Sequence, residues 1–81
     1  MMTREEISNQ MAAIFNKTFH SNIVMSNELT AGDVDGWDSL THMLLISEVE
    51  NGFNIKFKLK ELNKIKNVGD LIDLVQSKTQ E

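Results

Sequence analysis

The chain of 81 residues contains no cysteine, no proline, no tyrosine and one tryptophan. Without cysteine there is no disulfide framework, no thiolate zinc site and no cysteine nucleophile. Any thiol chemistry must come from an attached group. No apolar run approaches the roughly 20 residues that span a bilayer. Residues 1–15 have no long apolar core and carry Glu5 and Glu6, which argues against a signal peptide and for a cytoplasmic location without membrane insertion. Without a secretory route, the glycosylation sequon Asn16-Lys17-Thr18 reads as chance. There is no internal repeat and no low-complexity tract.

What remains is ordinary for a soluble globular protein: 41% hydrophobic and 25% charged residues. The length predicts one small domain over residues 1–81, and a monomer is expected. The net charge of −4 is unevenly spread. Acids prevail from Glu5 to Glu50; then Lys56, Lys58, Lys60, Lys64 and Lys66 follow with only Glu61 against them. An acidic body disfavours nucleic acid as a partner and favours a protein with a basic patch. With Phe57 alone available for stacking, the lysine cluster reads as a solvated face.

The apolar spacing is helical. Ile7, Met11, Ile14, Phe15 and Phe19 form one stripe behind a capping pair, Thr3 and Glu6, which predicts a helix over 3–19. Residues 20–38, dense in Ser, Asn, Gly and Asp, predict a long loop pinned by Ile23, Val24, Leu29 and Val34. Loops of that length are often functional. A second helix begins after Asp38. Leu40, Met43, Leu44, Leu45, Ile46 and Val49 are too many for one narrow stripe, so part of this helix presents apolar side chains outward. Gly52 suits the left-handed position past its end. Ile55, Phe57 and Leu59 alternate like a strand, but the sequence offers no partner strand. The expectation is an extended stretch to Phe57, then a short helix carrying Leu59, Leu62 and Ile65. Asn67 and Asp70 predict the cap of a last helix buried through Val68, Leu71, Ile72 and Val75. The fold class is therefore all-α, a small four-helix bundle with a short third helix.

The second helix start carries the chemistry. Asp38 suits the N-cap, and Ser39 falls at the first helical position with its hydroxyl outward at the positive end of the helix dipole. That place suits an anion such as a phosphate diester. Gly36 permits a tight turn just before it. Ser39 could be only part of a helix start, an attachment point or a nucleophile. The nucleophile reading draws on Asp38, Ser39 and His42, the last two sharing a helix face. It lacks an oxyanion hole and a free third group, and 81 residues leave little room for a pocket. Asp33-Val34-Asp35-Gly36 lacks the further ligands of a calcium loop, so no metal site is assigned.

Asp38-Ser39-Leu40, preceded by Gly36 and followed by an apolar helix ending in Glu48-Val49-Glu50-Asn51-Gly52-Phe53, resembles the attachment site of acyl carrier proteins. The resemblance covers essentially the whole chain. It implies a non-enzymatic carrier, a phosphoprotein in which 4′-phosphopantetheine is joined to Ser39 through a phosphodiester and bears acyl groups as thioesters. It implies that a phosphopantetheinyl transferase (holo-carrier-protein synthase) installs the group from coenzyme A using magnesium, with Asp38 helping to place that metal. An acyl-loading ligase or transferase, and synthases or acyltransferases of fatty-acid, polyketide or other specialised biosynthesis, are the further partners implied. The second helix would be the recognition surface, through Leu40, Thr41, Met43, Leu44, Ser47 and Glu50. Thr41 and Leu44 stand where housekeeping fatty-acid carriers are often acidic. Gly-Trp-Asp-Ser-Leu is more similar to stand-alone carriers of specialised pathways. Trp37 is expected to cover the core beside the loop. Leu45, Ile46, Val49, Phe53 and Ile65 are expected to form ordinary packed core rather than an acyl cavity. The alternatives are an aminoacyl or peptidyl carrier and, in a different class, an unmodified helical interaction module.

Overall fold

Thr3 starts the first helix by a reciprocal cap. Its hydroxyl accepts from the Glu6 amide at 3.2 Å, while its own amide donates to the Glu6 carboxylate at 2.9 Å. In the computed structural model, which describes residues 2–20 and 23–79, helix α1 then runs over Arg4–Phe19. Ile7, Met11 and Phe15, four residues apart, are fully buried along it. Helix α2 spans Ser39–Phe53, α3 spans Leu59–Leu62 and α4 spans Val68–Thr79. No strand occurs among the described residues. Helix α1 packs against both α2 and α4. The core between them comes from Leu45, Ile46, Val49 and Phe53 of α2 and from Val68, Leu71, Ile72 and Val75 of α4. The fold is the expected all-α bundle with a short third helix.

The loop after α1 is anchored at two levels. Val34 is buried and Ile23 and Leu29 are half-buried, but Val24, expected as a fourth pin, is 85% exposed. Its neighbours Ile23 and Met25 pack against the core instead, and an extended chain points successive side chains to opposite sides. The second level is backbone pairing. The first amides of a helix have no partner within it. Here the Val68 amide donates to the Leu29 carbonyl at 2.8 Å and the Gly69 amide to the Asn27 carbonyl at 3.0 Å. The Asp70 amide donates to the Asn67 side chain at 2.9 Å, as the capping pair predicts.

That approach is close enough to require glycine at position 69. A Cβ there would sit 2.9 Å from the Asn27 carbonyl oxygen and 3.0 Å from the Asn27 Cβ. Helix propensity alone makes Gly→Ala favourable by up to about 1 kcal/mol. The loop reverses the sign. Gly69→Ala is expected to destabilise by about 1–3 kcal/mol, as overpacking does, in urea unfolding followed by Trp37 fluorescence. A stabilised variant would show that the loop does not pin α4.

Two chain ends depart from the sequence reading. Gly52 lies within α2, and Asn54 adopts the left-handed conformation (φ 56°) that ends it. Extending the helix to Phe53 buries that ring in the core. Asparagine tolerates the left-handed region better than other residues with a Cβ. Gly52 serves close packing instead: a Cβ would meet the tip of Ile14 at 2.9 Å, and its carbonyl accepts from Gln10 at 2.6 Å. The third helix is four residues long. Leu59 is 76% exposed and Ile65 lies beyond the helix, half-buried. The Lys58 amide donates to the Glu61 carboxylate at 2.7 Å, and Glu61 pairs with Lys78 at 3.0 Å. The first bond caps α3 and the second docks it on the end of α4 without deep burial of its own side chains. Lys56, Lys58, Lys60, Lys64 and Lys66 are all exposed.

Three carboxylates that accept backbone amides give the bundle an acid limit. Glu6, Asp38 and Glu61 are each held below the ordinary carboxylate range, chiefly by hydrogen bonds at Thr3, Thr41 and Lys58 respectively. A lowered folded-state pKa means that stability is present above the unfolded value, about 4. It is lost as pH falls through the folded value. Thermal unfolding by circular dichroism is expected to give a Tm that is flat from pH 7 to about 5 and falls below about pH 4. A Tm that holds or rises on acidification would contradict this account.

Candidate functional site at the start of helix α2

The turn before α2 is built to present one hydroxyl. The Trp37 amide donates to the Val34 carbonyl at 3.2 Å, closing a turn in which Gly36 takes φ 87°. Only glycine adopts that conformation without strain. Asp38 then caps the helix: its Oδ1 accepts from the Leu40 and Thr41 amides, each at 3.0 Å. The Asp38 amide donates back to the Thr41 hydroxyl at 2.7 Å, and that hydroxyl donates to the Gly36 carbonyl at 2.6 Å. The Thr41 amide and hydroxyl, and then the Leu40 amide, hold the Asp38 carboxyl ionised well below neutral pH. Ser39 takes no part in this network and stands exposed at the first helical position.

Beside Ser39 lies an open cleft of about 490 Å³, lined by Ala31, Trp37, Asp38, Ser39, His42, Ile65, Lys66 and Asn67. That volume lies within the roughly 300–1,000 Å³ of small-molecule sites. Trp37 forms its wall and is only 8% exposed. Its indole meets Phe15 edge-on with centroids 5.2 Å apart and Phe19 at 5.9 Å, so it covers the core beside the loop as its sequence position suggests. On the other side it lies edge to edge with His42, ring centroids 6.0 Å apart and planes 19° apart. The Trp37 Nε1–H donates to His42 Nδ1 at 3.1 Å. His42 is thus turned toward the indole and has no part in a catalytic triad.

The six residues expected on the recognition face divide. Leu40 (81%), Met43 (60%) and Leu44 (51%) are exposed, and Ser47 is exposed with them. Thr41 and Glu50 are half-buried and committed within the molecule, contrary to their expected outward role. Thr41 completes the cap of α2. Glu50 accepts from the Phe57 amide at 2.8 Å and ties down the segment after the helix. Of the five residues assigned to packed core, Leu45, Ile46, Val49 and Phe53 are buried there, whereas Ile65 is half-buried and lines the cleft. Ala31, Lys66 and Asn67 join the cleft from segments about 8 to 28 residues away from Ser39 along the chain. No local pattern marks them. The Trp37–His42 pairing had a signal: an indole and an imidazole five positions apart across a helix start.

No helix among the described residues is long and apolar enough to cross a membrane. Among them no three His, Asp or Glu side chains converge as a metal site. Comparison with protein-family models finds no match, and none is found among curated proteins. Among solved structures, the chain is similar to a holo acyl carrier protein from Geobacter metallireducens determined by solution NMR. The two are 48% identical over 89% of this chain and 84% of that chain, with a TM-score of 0.84.

Proposed function

The chain belongs to the acyl carrier protein family, and from that premise we propose that Ser39 carries a 4′-phosphopantetheine arm on which acyl intermediates travel between enzymes as one carrier domain. The observation that carries this reading is the exposed Ser39 hydroxyl, left out of a cap that Asp38 and Thr41 complete without it. The residues around it fit the group. The cleft gives the arm a mainly apolar place to lie, and the helix N-terminus favours a phosphodiester anion. When attached, the arm supplies the thiol that the composition lacks and holds the acyl group as a thioester. Asp38, ionised at neutral pH, presents a carboxylate next to the serine where a transferase can set its magnesium ion. The tether makes each delivery intramolecular and raises the effective concentration of cargo at the partner. The partners in this reading are a phosphopantetheinyl transferase, a loading ligase or transferase, and synthases or acyltransferases. Incubation with coenzyme A, magnesium and a broad-specificity transferase tests it. Intact-mass analysis is expected to show the gain of one phosphopantetheine, localised to Ser39 by fragmentation; an unchanged mass favours the interaction module.

The partner face has an unusual chemistry for a chain of net charge −4. No charged residue occurs from Ser39 through Ser47, and Leu40, Met43 and Leu44 are exposed there. Glu48, one residue further, is already paired with Lys17 at 3.4 Å. Contact on this face is therefore mainly apolar, with Met43 as an adaptable surface. Burying one leucine contributes about 1.5–3 kcal/mol. Leu44→Glu is expected to lower transferase kcat/KM at least about tenfold, since 1.4 kcal/mol is a factor of ten. Raising sodium chloride from 50 to 500 mM, which screens exposed charges, is expected to change the wild-type value less than about threefold. A steep loss with salt would show that charge, not apolar contact, governs docking.

A further inference from the structure

We infer that His42 is a binding residue for the arm's phosphodiester, donating its Nε2–H to a phosphate oxygen beside Ser39. The inference rests on the proposed attachment at Ser39 and adds to it a residue, an atom and a protonation state.

Three observations carry it. First, the indole N–H is a donor only, and it points at His42 Nδ1 from 3.1 Å. Nδ1 must therefore keep its lone pair, and the neutral ring carries its proton on Nε2. Second, the imidazole is held in place. The indole N–H holds it edge to edge with Trp37, the two planes 19° apart, and Trp37 is itself clamped against Phe15 and Phe19. The donor is thus fixed before any ligand arrives, so little rotamer entropy is lost on binding. Third, His42 and Ser39 are three residues apart on α2 and line the same cleft. Side chains at that spacing are neighbours on a helix surface, and helical side chains lean toward the N-terminus, here toward the turn of Ser39. Among the described residues, Nε2 has no hydrogen-bond partner. The amides of Leu40 and Thr41 are taken by Asp38, so they are not free to serve a phosphate. Of the amides before His42 the cap leaves only that of Ser39, and His42 supplies a side-chain donor beside it.

The test uses the full chain in its unmodified form and after loading from coenzyme A. Long-range proton–nitrogen NMR of the unmodified protein is expected to show His42 protonated at Nε2. On loading, the Nε2 resonance is expected to shift. Phosphorus NMR of loaded protein is expected to place the phosphodiester line of His42→Phe, which keeps a flat ring beside the indole and deletes the donor, at the position of free phosphopantetheine esters. His42→Gln, which restores an amide donor, is expected to move that line back toward the wild type. A proton found on Nδ1, or a phosphorus line identical in wild type and His42→Phe, overturns the inference. The apo-to-loaded comparison of wild type needs no variant, so a misfolded substitution does not blunt the test. A wild-type chain that takes no arm removes the inference together with the attachment it rests on. One that is loaded while His42 does not respond removes the inference alone.

Discussion

Ser39→Ala is expected to abolish loading completely while leaving the fold unchanged. The wild type should gain one phosphopantetheine and the variant none, under the same transferase and coenzyme A. The reason for an all-or-none effect is chemical. Attachment forms a phosphorus–oxygen bond to Oγ with loss of the hydroxyl proton, while the pyrophosphate bond of coenzyme A breaks and adenosine 3′,5′-bisphosphate leaves; alanine has no such oxygen. The reason the fold should survive is structural. Asp38 Oδ1, not Ser39, accepts the free amides of the first turn, and Ser39 is exposed. Surface changes away from caps and core usually stay within about ±0.5 kcal/mol, and alanine is the better helix former. Unfolding midpoints of the two proteins should therefore coincide. Ser47, exposed two turns further along the same helix, is an internal control. It lies beyond the electropositive first turn and should remain unmodified in both. A gain in mass in Ser39→Ala, localised to any other serine, would sink the proposed attachment.

The second large effect lies under the cleft. Phe15→Ala is expected to cost about 3–5 kcal/mol, the usual range for a buried Phe truncated to Ala. Phe15 is fully buried, meets Trp37 edge-on at 5.2 Å and Phe19 at 5.7 Å, and stands between α1 and the turn that precedes α2. At roughly 0.05–0.15 kcal/mol per residue, the whole bundle holds on the order of 4–12 kcal/mol, so this one change removes a large share. Urea unfolding followed by circular dichroism measures it. Trp37, the single tryptophan, gives a second readout: its emission should move to longer wavelength in the folded variant as the indole loses its apolar backing. A loss below about 1 kcal/mol would mean that the aromatic cluster does not hold the cleft wall.

The two experiments probe different links. Ser39→Ala removes the reactive atom and keeps the scaffold. Phe15→Ala keeps the reactive atom and loosens the surface that orients its surroundings. Loading of Phe15→Ala under conditions where it remains folded then reports whether the Trp37 wall matters to presentation of the serine.

The helix starts were legible because their causes are local. Thr3 with Glu6, Asp38 ahead of Ser39, and Asn67 with Asp70 each place donor and acceptor within a few residues. The buried stripes were legible because 3.6 residues per turn imposes its period on the apolar positions. The exposed serine followed from the same local logic. What sequence spacing could not decide were groups whose partners lie far along the chain or whose geometry the neighbours impose. Gly52 looks like a helix terminator, yet burial of Phe53 carries the helix past it and Asn54 ends it. Thr41 and Glu50 look outward-facing, yet backbone groups of the adjoining loops claim them.

By itself, then, the order of residues determined an all-α bundle with a hydroxyl at one helix tip. Hydrogen bonds across three or four positions and a repeating apolar face suffice for that. Only the packed structure decided that loop carbonyls satisfy the first amides of α4. It also decided that the Trp37 indole N–H meets His42 Nδ1, and that Ala31 and Lys66 close a cleft beside Ser39. Those arrangements depend on how the helices dock, and docking is fixed by the summed burial of the whole core rather than by any neighbouring pair of residues.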